Sequence, residues 1–326
     1  MKLNRLLFAC IAACAAALTV LPIAAHAQGY PNRPVKIIVG FGPGSGTDII
    51  ARFVAEELQK TFGQPFIVDN KPGATAAIAA EAVAKSAPDG YTLFITSNSS
   101  HSVNPHLYKT LRYDPFKDFT PIGRIADFPF LLAVDPKLPI TTPQELVTYA
   151  RANRGTASYA YGNTPGQIAG AALNTLMKLD MTAVPYKSSP QAIADVSSGL
   201  EVFLVVDLAS SKAFVKAGRL RAIAVTTSTR SALAPELPTL GEALGLEGYD
   251  LRAWTGMFGP ADLPKDITER LSAELAKIMG RQDMRERLIA AGMESTPATA
   301  TEFTKFVADQ YTVWGKKIKD AGIQPE

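Results

Sequence analysis

Val35-Lys36-Ile37-Ile38-Val39-Gly40 runs directly into Phe41-Gly42-Pro43-Gly44-Ser45-Gly46-Thr47-Asp48, and the reading of this stretch decides the fold. The apolar run Val35 to Val39 is a buried strand. The glycines that follow permit positive φ and close approach of another backbone. The loop then feeds a helix expected from Asp48 to Thr61, with Ile49, Phe53 and Leu58 among its apolar positions and Gly63 just past its end. Outward from there, Phe66-Ile67-Val68 is a second strand, Ala74 to Lys85 a second helix and Tyr91 to Ile95 a third strand, closed by the polar cluster Thr96 to His101. This β-α-β-α-β order implies a mainly parallel sheet with helices on its faces.

A second unit of the same kind begins at Leu131-Leu132-Ala133-Val134. Thr142 is the expected N-cap of a helix, with Pro143 at its first position and Glu145 three residues on, a capping box. Ser158 to Tyr161, Met181 to Pro185, Val202 to Val206 and Leu220 to Val225 read as strands. Gln167 to Leu179, Pro190 to Ser197 and Lys212 to Ala217 read as helices, and Gly199 and Gly218 sit where helices stop. The tail reads as three helices, Asp266 to Met279, Asp283 to Ala291 and Thr301 to Ala321, with almost no strand between them. Such a tail cannot bury its apolar faces alone and is expected to return to the first unit. The prediction is two α/β lobes, 28–127 plus 250–326 and 128–249, with crossings near 128–134 and 250–259.

Residues 1–27 read as an export signal. Lys2 and Arg5 precede the apolar stretch Leu6 to Ala24, and Ala25-His26-Ala27 is a small-x-small cleavage site, so the mature chain is expected to start at Gln28 in the periplasm. A lipoprotein-type box at Ile11-Ala12-Ala13-Cys14 is the second choice, because it leaves too short an apolar core before Cys14. Cys10 and Cys14 both fall inside the signal, which excludes disulfides and thiolate chemistry from the mature chain. The 33 basic and 30 acidic residues become 31 against 30 without Lys2 and Arg5, and no basic stripe is present, so nucleic acid is not an expected partner.

In open α/β sheets ligands sit beyond the C-terminal ends of the strands. The loop from Phe41 through Gly42, Gly44, Ser45, Gly46 and Thr47 to Asp48 therefore offers backbone N–H groups and a positive helix end to an anion. A P-loop is excluded because Gly46, not lysine, precedes Thr47, and the dinucleotide pattern also fails. A small carboxylate fits best; the alternative is that the glycines only make a tight turn and Asp48 caps its helix. Thr96, Ser97 and Ser99 follow the third strand. Gly162, Asn163, Thr164, Gly166 and Gln167 stand before a helix in the second lobe, and Asp207 follows the Val202 to Val206 strand. Burying a small ligand between such loops makes micromolar binding, about 8 kcal/mol, attainable.

An enzyme has little to work with. His101 and His106 are the histidines outside the signal and have no metal-ligand spacing, no G-x-S-x-G elbow is present, and nothing pairs Ser99, Asp48 or Asp207 with a base. No catalytic residue, metal or cofactor is expected.

These residues resemble the substrate receptors of tripartite tricarboxylate transporters, also called the Bug family. The likeness runs through Tyr30-Pro31, Phe41 to Asp48, Val68-Asp69-Asn70-Lys71-Pro72-Gly73-Ala74, Ala87-Pro88-Asp89-Gly90-Tyr91-Thr92-Leu93, Val184-Pro185-Tyr186-Lys187 and Lys216-Ala217-Gly218. It implies a type II periplasmic-binding-protein fold and a carboxylate ligand, often a dicarboxylate, held largely by backbone N–H groups. The site would comprise Phe41 to Thr47, Thr96 to Ser99, Gly162 to Gln167 and Asp207. The resemblance also implies large and small integral membrane subunits as partners; the receptor itself is expected to be a monomer, and a signalling receptor would use the same residues. Ser45 interrupts the usual run of glycines, Gln167 stands where relatives often carry histidine, and Ser188 replaces a usual glycine. Phe128, Phe130 and Trp254 lie near the crossovers, where they either line the cleft and favour a larger or aromatic ligand or pack the hinge.

Overall fold

The computed structural model describes residues 29–246 and 249–325; the predicted signal, both cysteines and Gln28 lie outside the described residues. The first unit comprises β1 (Val35–Val39), α1 (Gly46–Phe62), β2 (Phe66–Asn70), a short 3₁₀ turn at Ala74–Ala76, α2 (Ala77–Ala84) and β3 (Thr92–Ser97). A π turn, Ser99–Val103, and the short α3 (Asn104–Leu107) lead into β4 (Phe119–Val134). The second unit holds α4 (Pro143–Ala152), β5 (Ser158–Tyr161), α5 (Thr164–Met177), β6 (Thr182–Pro185), α6 (Ser189–Ser198), β7 (Phe203–Asp207), α7 (Leu208–Lys216), β8 (Arg221–Val225) and α8 (Leu240–Leu244). The tail is β9 (Arg252–Pro260), α9 (Lys265–Gly280), α10 (Gln282–Ala290), β10 (Glu294–Ala298) and α11 (Ala300–Asp320).

The strands run in the order β2-β1-β3-β9-β4-β7-β5-β6, with β8 and β10 also paired to β4. The outer pairs β1–β2, β1–β3, β5–β6 and β5–β7 are parallel, as a β-α-β reading requires. The middle is antiparallel, because β9 inserts between β3 and β4. The expected mainly parallel sheet is thus a mixed one; the crossing near 250–259 supplies β9 and the strand-poor tail beyond Asp266 supplies β10. β4 keeps β9 as partner from Phe119 to Pro129 and takes β7 from Phe130 to Val134. One long strand therefore serves both halves of the molecule.

Both faces of the parallel strands are covered, as such strands require. Val35, Ile37 and Val39 enter one apolar cluster and Ile38 the other; Leu93 and Ile95 likewise oppose Phe94. In the second unit Leu132, Phe203 and Val205 face the same large cluster, while Ala133, Leu204 and Val206 face α6. The tail returns to the first unit, with α9 on β4, β10 and α1, and α11 on β4 and the π turn. Phe303, Val307, Trp314 and Ile318 form the buried stripe of α11.

Local signals explain most element ends. Thr142 accepts from Glu145 N, while Glu145 reaches back to the cap, which is the predicted box. Gly63 ends α1 at φ 69° and its N–H reaches Gln59 O at 3.0 Å. The helix expected from Ala74 begins differently: Ala74, Thr75 and Ala76 have φ of 44°, 49° and 73° and make a left-handed turn before α2. That turn seats Ala76 on Gly40, where a Cβ would lie 2.3 Å from the Ala76 methyl. Asn104 Nδ2 ties the turn down by donating to Thr75 O at 3.0 Å.

Candidate functional site

Ser45, not Asp48, caps α1; its Oγ accepts from Asp48 N at 3.2 Å. Asp48 lies in the first turn, and its buried carboxylate accepts from Gly44 N at 2.9 Å, Asn70 Nδ2 at 2.9 Å and the Arg52 guanidinium. This side chain holds the glycine loop in shape. α5 starts at Thr164, three residues before the expected Gln167, because Asn163 Oδ1 accepts from Gly166 N at 2.8 Å and so caps it. Ser188 is the N-cap position of α6, and Asp207 caps α7 by accepting from Ser210 N at 2.8 Å.

These four helix starts meet at one cavity. Its wall contains Phe41, Ser45, Gly46 and Thr47 from the first loop, and Ser97 at the end of β3. Asn163, Pro165, Ser189 and Asp207 come from the second unit, and Phe128, Phe130 and Ala253 from the central strands. The space is about 10 Å³, enough for roughly one water. The two sides touch directly: Gly46 N donates to Ser210 Oγ at 2.9 Å. A Cβ on Gly46 would lie 2.6 Å from Asp207 Oδ1, and one on Gly42 would lie 2.9 Å from Ser188 Oγ. At Gly46 glycine is favoured for closeness rather than for φ, because hydrogen bonds from Ser210 hold the Asp207 carboxyl in place. A larger cavity, about 360 Å³, lies between α5 and α11 and is lined by Ile168, Leu176, Leu246 and Lys317. Lys317 Nζ is already bonded to Asp250 O, and among the described residues no helix N-terminus opens into that space.

Of the predicted residues, Phe41, Ser45, Gly46, Thr47, Ser97, Asn163 and Asp207 come together on the cavity wall. Gly42, Gly162 and Gly166 stand behind it, where their missing side chains admit Ser188, the Ser188–Ser189 backbone and Val205 O respectively. Gly44 is exposed, Gln167 half-buried, and Thr164 fully buried with its Oγ1 unpaired. Thr96 and Ser99 are not on the wall. Alternation along β3 turns Thr96 to the opposite face from Ser97, where its Oγ1 lies 2.8 Å from Ser100 Oγ. Ser99 accepts from Ser97 Oγ at 3.1 Å. The cluster read as a polar loop is fully buried, with His101 stacked 3.9 Å from Phe258 and its pKa pushed down to about 3 by burial.

Alternation also separates the aromatics. Phe128 and Phe130 share the cavity face with Ala253, whereas Trp254 points away and packs edge-on against Phe303 and Phe306. The residues missed in the sequence are Pro165, Ser189, Ser210 and Ala253. Pro165 was inside the predicted loop, but only tertiary contact reveals the other three. Asn98, next to Ser97, is fully buried with both amide atoms unpaired. Burial raises the Asp207 pKa, against the lowering effect of its Ser210 and Ser189 hydrogen bonds. Among the described residues no group of three His, Cys, Asp or Glu is placed to hold a metal ion, and no helix is long and apolar enough to cross a membrane.

Two α/β lobes, a shared strand and helix N-termini gathered at one interlobe cavity define a periplasmic-binding-protein fold. The model of the tripartite tricarboxylate transporter family receptors matches residues 50–323, and the chain belongs to that family. Rpa4515 of R. palustris, solved with adipate, is 34% identical, with a TM-score of 0.88 over 91% of this chain and 100% of its own. The periplasmic binding protein BugD is 29% identical, with a TM-score of 0.86 over 91% and 100%. MatC of Rhodopseudomonas palustris, solved with malate, is 29% identical, with a TM-score of 0.83 over 89% and 100%. The family consists of receptors, and this chain is a binding protein rather than an enzyme.

Proposed function

We propose that the protein is a periplasmic receptor that captures a small carboxylate between its lobes and delivers it, as a monomer, to the membrane subunits of a tripartite transporter. The observation that carries this reading is the meeting of four helix N-termini at a cavity whose wall holds no basic side chain. Recognition then rests on backbone N–H groups and helix dipoles, which suit a compact anion. Adipate in Rpa4515 and malate in MatC are carboxylates and support that class. The lobes are taken as 28–127 plus 250–326 and 128–249; the change of partner along β4 at Pro129 and Phe130 supports this division. With about 10 Å³ enclosed, any acid enters only as the lobes separate.

The test is a thermal-shift screen of the chain from Gln28 against mono-, di- and tricarboxylates, aromatic acids and amino acids. A ligand at a hundredfold excess over its Kd adds about 2.7 kcal/mol to the native state, a shift of several degrees. A hit among the carboxylates supports the receptor reading. Silence from every carboxylate, with a shift from an uncharged compound, overturns it.

A further inference from the structure

Of the side chains on the cavity wall, Asp207 alone is ionisable, and it is 2% exposed. Its hydrogen bonds form a directed network. Gly46 N donates to Ser210 Oγ at 2.9 Å, so the Ser210 proton is free to go to Asp207 Oδ1, 2.6 Å away. On the other side Asn163 Oδ1 is committed to Gly166 N, which turns Asn163 Nδ2 towards Ser189 Oγ at 3.1 Å. Ser189 in turn directs its proton to Asp207 Oδ2 at 3.2 Å. Ser210 N completes the set at 2.8 Å. Both hydroxyls receive a donor from behind and give their proton forward, so the network is arranged to accept at Asp207 and favours its carboxylate form against the burial that raises its pKa. The anion gathered in by the helix starts in this arrangement is the protein's own.

Charge then limits what a ligand brings. Four helix N-termini of about half a charge each amount to about two positive charges. Asp207 answers about one of them, leaving about one for the ligand. A second ligand carboxylate brought against Asp207 Oδ2, which accepts only one longer bond, would meet a like charge in a desolvated site. An ammonium or hydroxyl there would meet an acceptor.

Building on the carboxylate reading, we infer that Asp207, once the lobes part and carry it away from Gly46, sets the ligand class: one carboxylate at the Phe41–Thr47 loop and a hydrogen-bond donor, ammonium or hydroxyl, on Asp207. The test uses acids of matched chain length, 4-aminobutyrate and 4-hydroxybutyrate against succinate, and 6-aminohexanoate and 6-hydroxyhexanoate against adipate. Titration calorimetry on the full mature chain and on Asp207→Asn gives the affinities. The wild type should prefer a donor-ended acid over the diacid of its length by tenfold or more. Asp207→Asn, in which asparagine still caps α7, should remove that preference by tightening the diacid. A wild type that binds the diacid as tightly as the donor-ended acids overturns this inference and leaves the receptor reading standing, even if the variant fails to fold. Equal movement of all affinities in Asp207→Asn also overturns it. Silence from these six acids and from every other carboxylate of the thermal-shift screen overturns both readings together.

Discussion

His101 shows how one buried side chain ties stability to pH. Its ring has no exposure, stacks on Phe258 at an interplanar angle of 10° and lies 2.9 Å from Ser100 Oγ through Nδ1. Burial lowers its pKa from 6.5 to about 3, so between those values the unfolded chain binds a proton that the native protein refuses. Stability from this residue is therefore complete above pH 6.5 and falls as the pH drops towards 3. From pH 7 to pH 5 the loss is about 2 kcal/mol. Asp207 and Asp127 work in the opposite direction, since burial raises both their pKa values and the native state gains protons as the pH falls. Comparing wild type with His101→Gln cancels those contributions. Urea unfolding at the two pH values should show that the variant loses about 2 kcal/mol less on acidification; an equal loss in both proteins would refute the assignment. The burial was not legible in the sequence. Thr96 to His101 is polar in composition, and only the packing of β9 and α11 against it makes it interior.

At the scale of the element, caps were legible because they are local. Thr142, Pro143 and Glu145 specify the start of α4 within one turn, and that box is present in the structure. Thr142→Ala should cost about 1 kcal/mol in chemical denaturation with carboxylate affinity unchanged, since α4 lies outside the cavity wall. A cost near zero would mean that Pro143 alone fixes the helix start. The strands missed in the sequence have a common cause. β9 carries Gly256 and Gly259, and the part of β4 before Phe130 carries Pro121, Gly123 and Pro129, so neither shows an unbroken apolar or alternating run. Their stability comes from each other, through pairs such as Phe119 with Pro260 and Asp127 with Trp254. Gly256 is occupied from above by Phe303, which a Cβ would meet at 2.0 Å. That contact belongs to tertiary structure and has no local signature.

For the molecule as a whole, the proposed function depends on how closely the lobes approach. Gly46 stands at the first position of α1, where alanine is well tolerated by a helix. Across the cavity, however, an added Cβ meets Asp207 Oδ1 at 2.6 Å and Ala209 Cβ at 3.5 Å. Gly46→Ala should leave the fold of each lobe intact while weakening carboxylate binding tenfold or more, about 1.4 kcal/mol, in titration calorimetry. Small-angle scattering should show that ligand no longer compacts the variant, and undiminished affinity would refute the closing contact. The sequence by itself determined the βα order of the two units, the capping box at Thr142, the lack of cysteine from residues 28–326 and the glycine loop that leads into α1. Each of these is set within a few residues, by periodicity, capping or composition. Tertiary structure alone decided that the centre of the sheet is antiparallel, that Ser97 rather than Thr96 reaches the cavity, and that Asp207, Ser189 and Ser210 stand opposite Gly46. Those facts depend on which strand lies beside which and on the face each residue shows, and residues more than a hundred positions apart fix both.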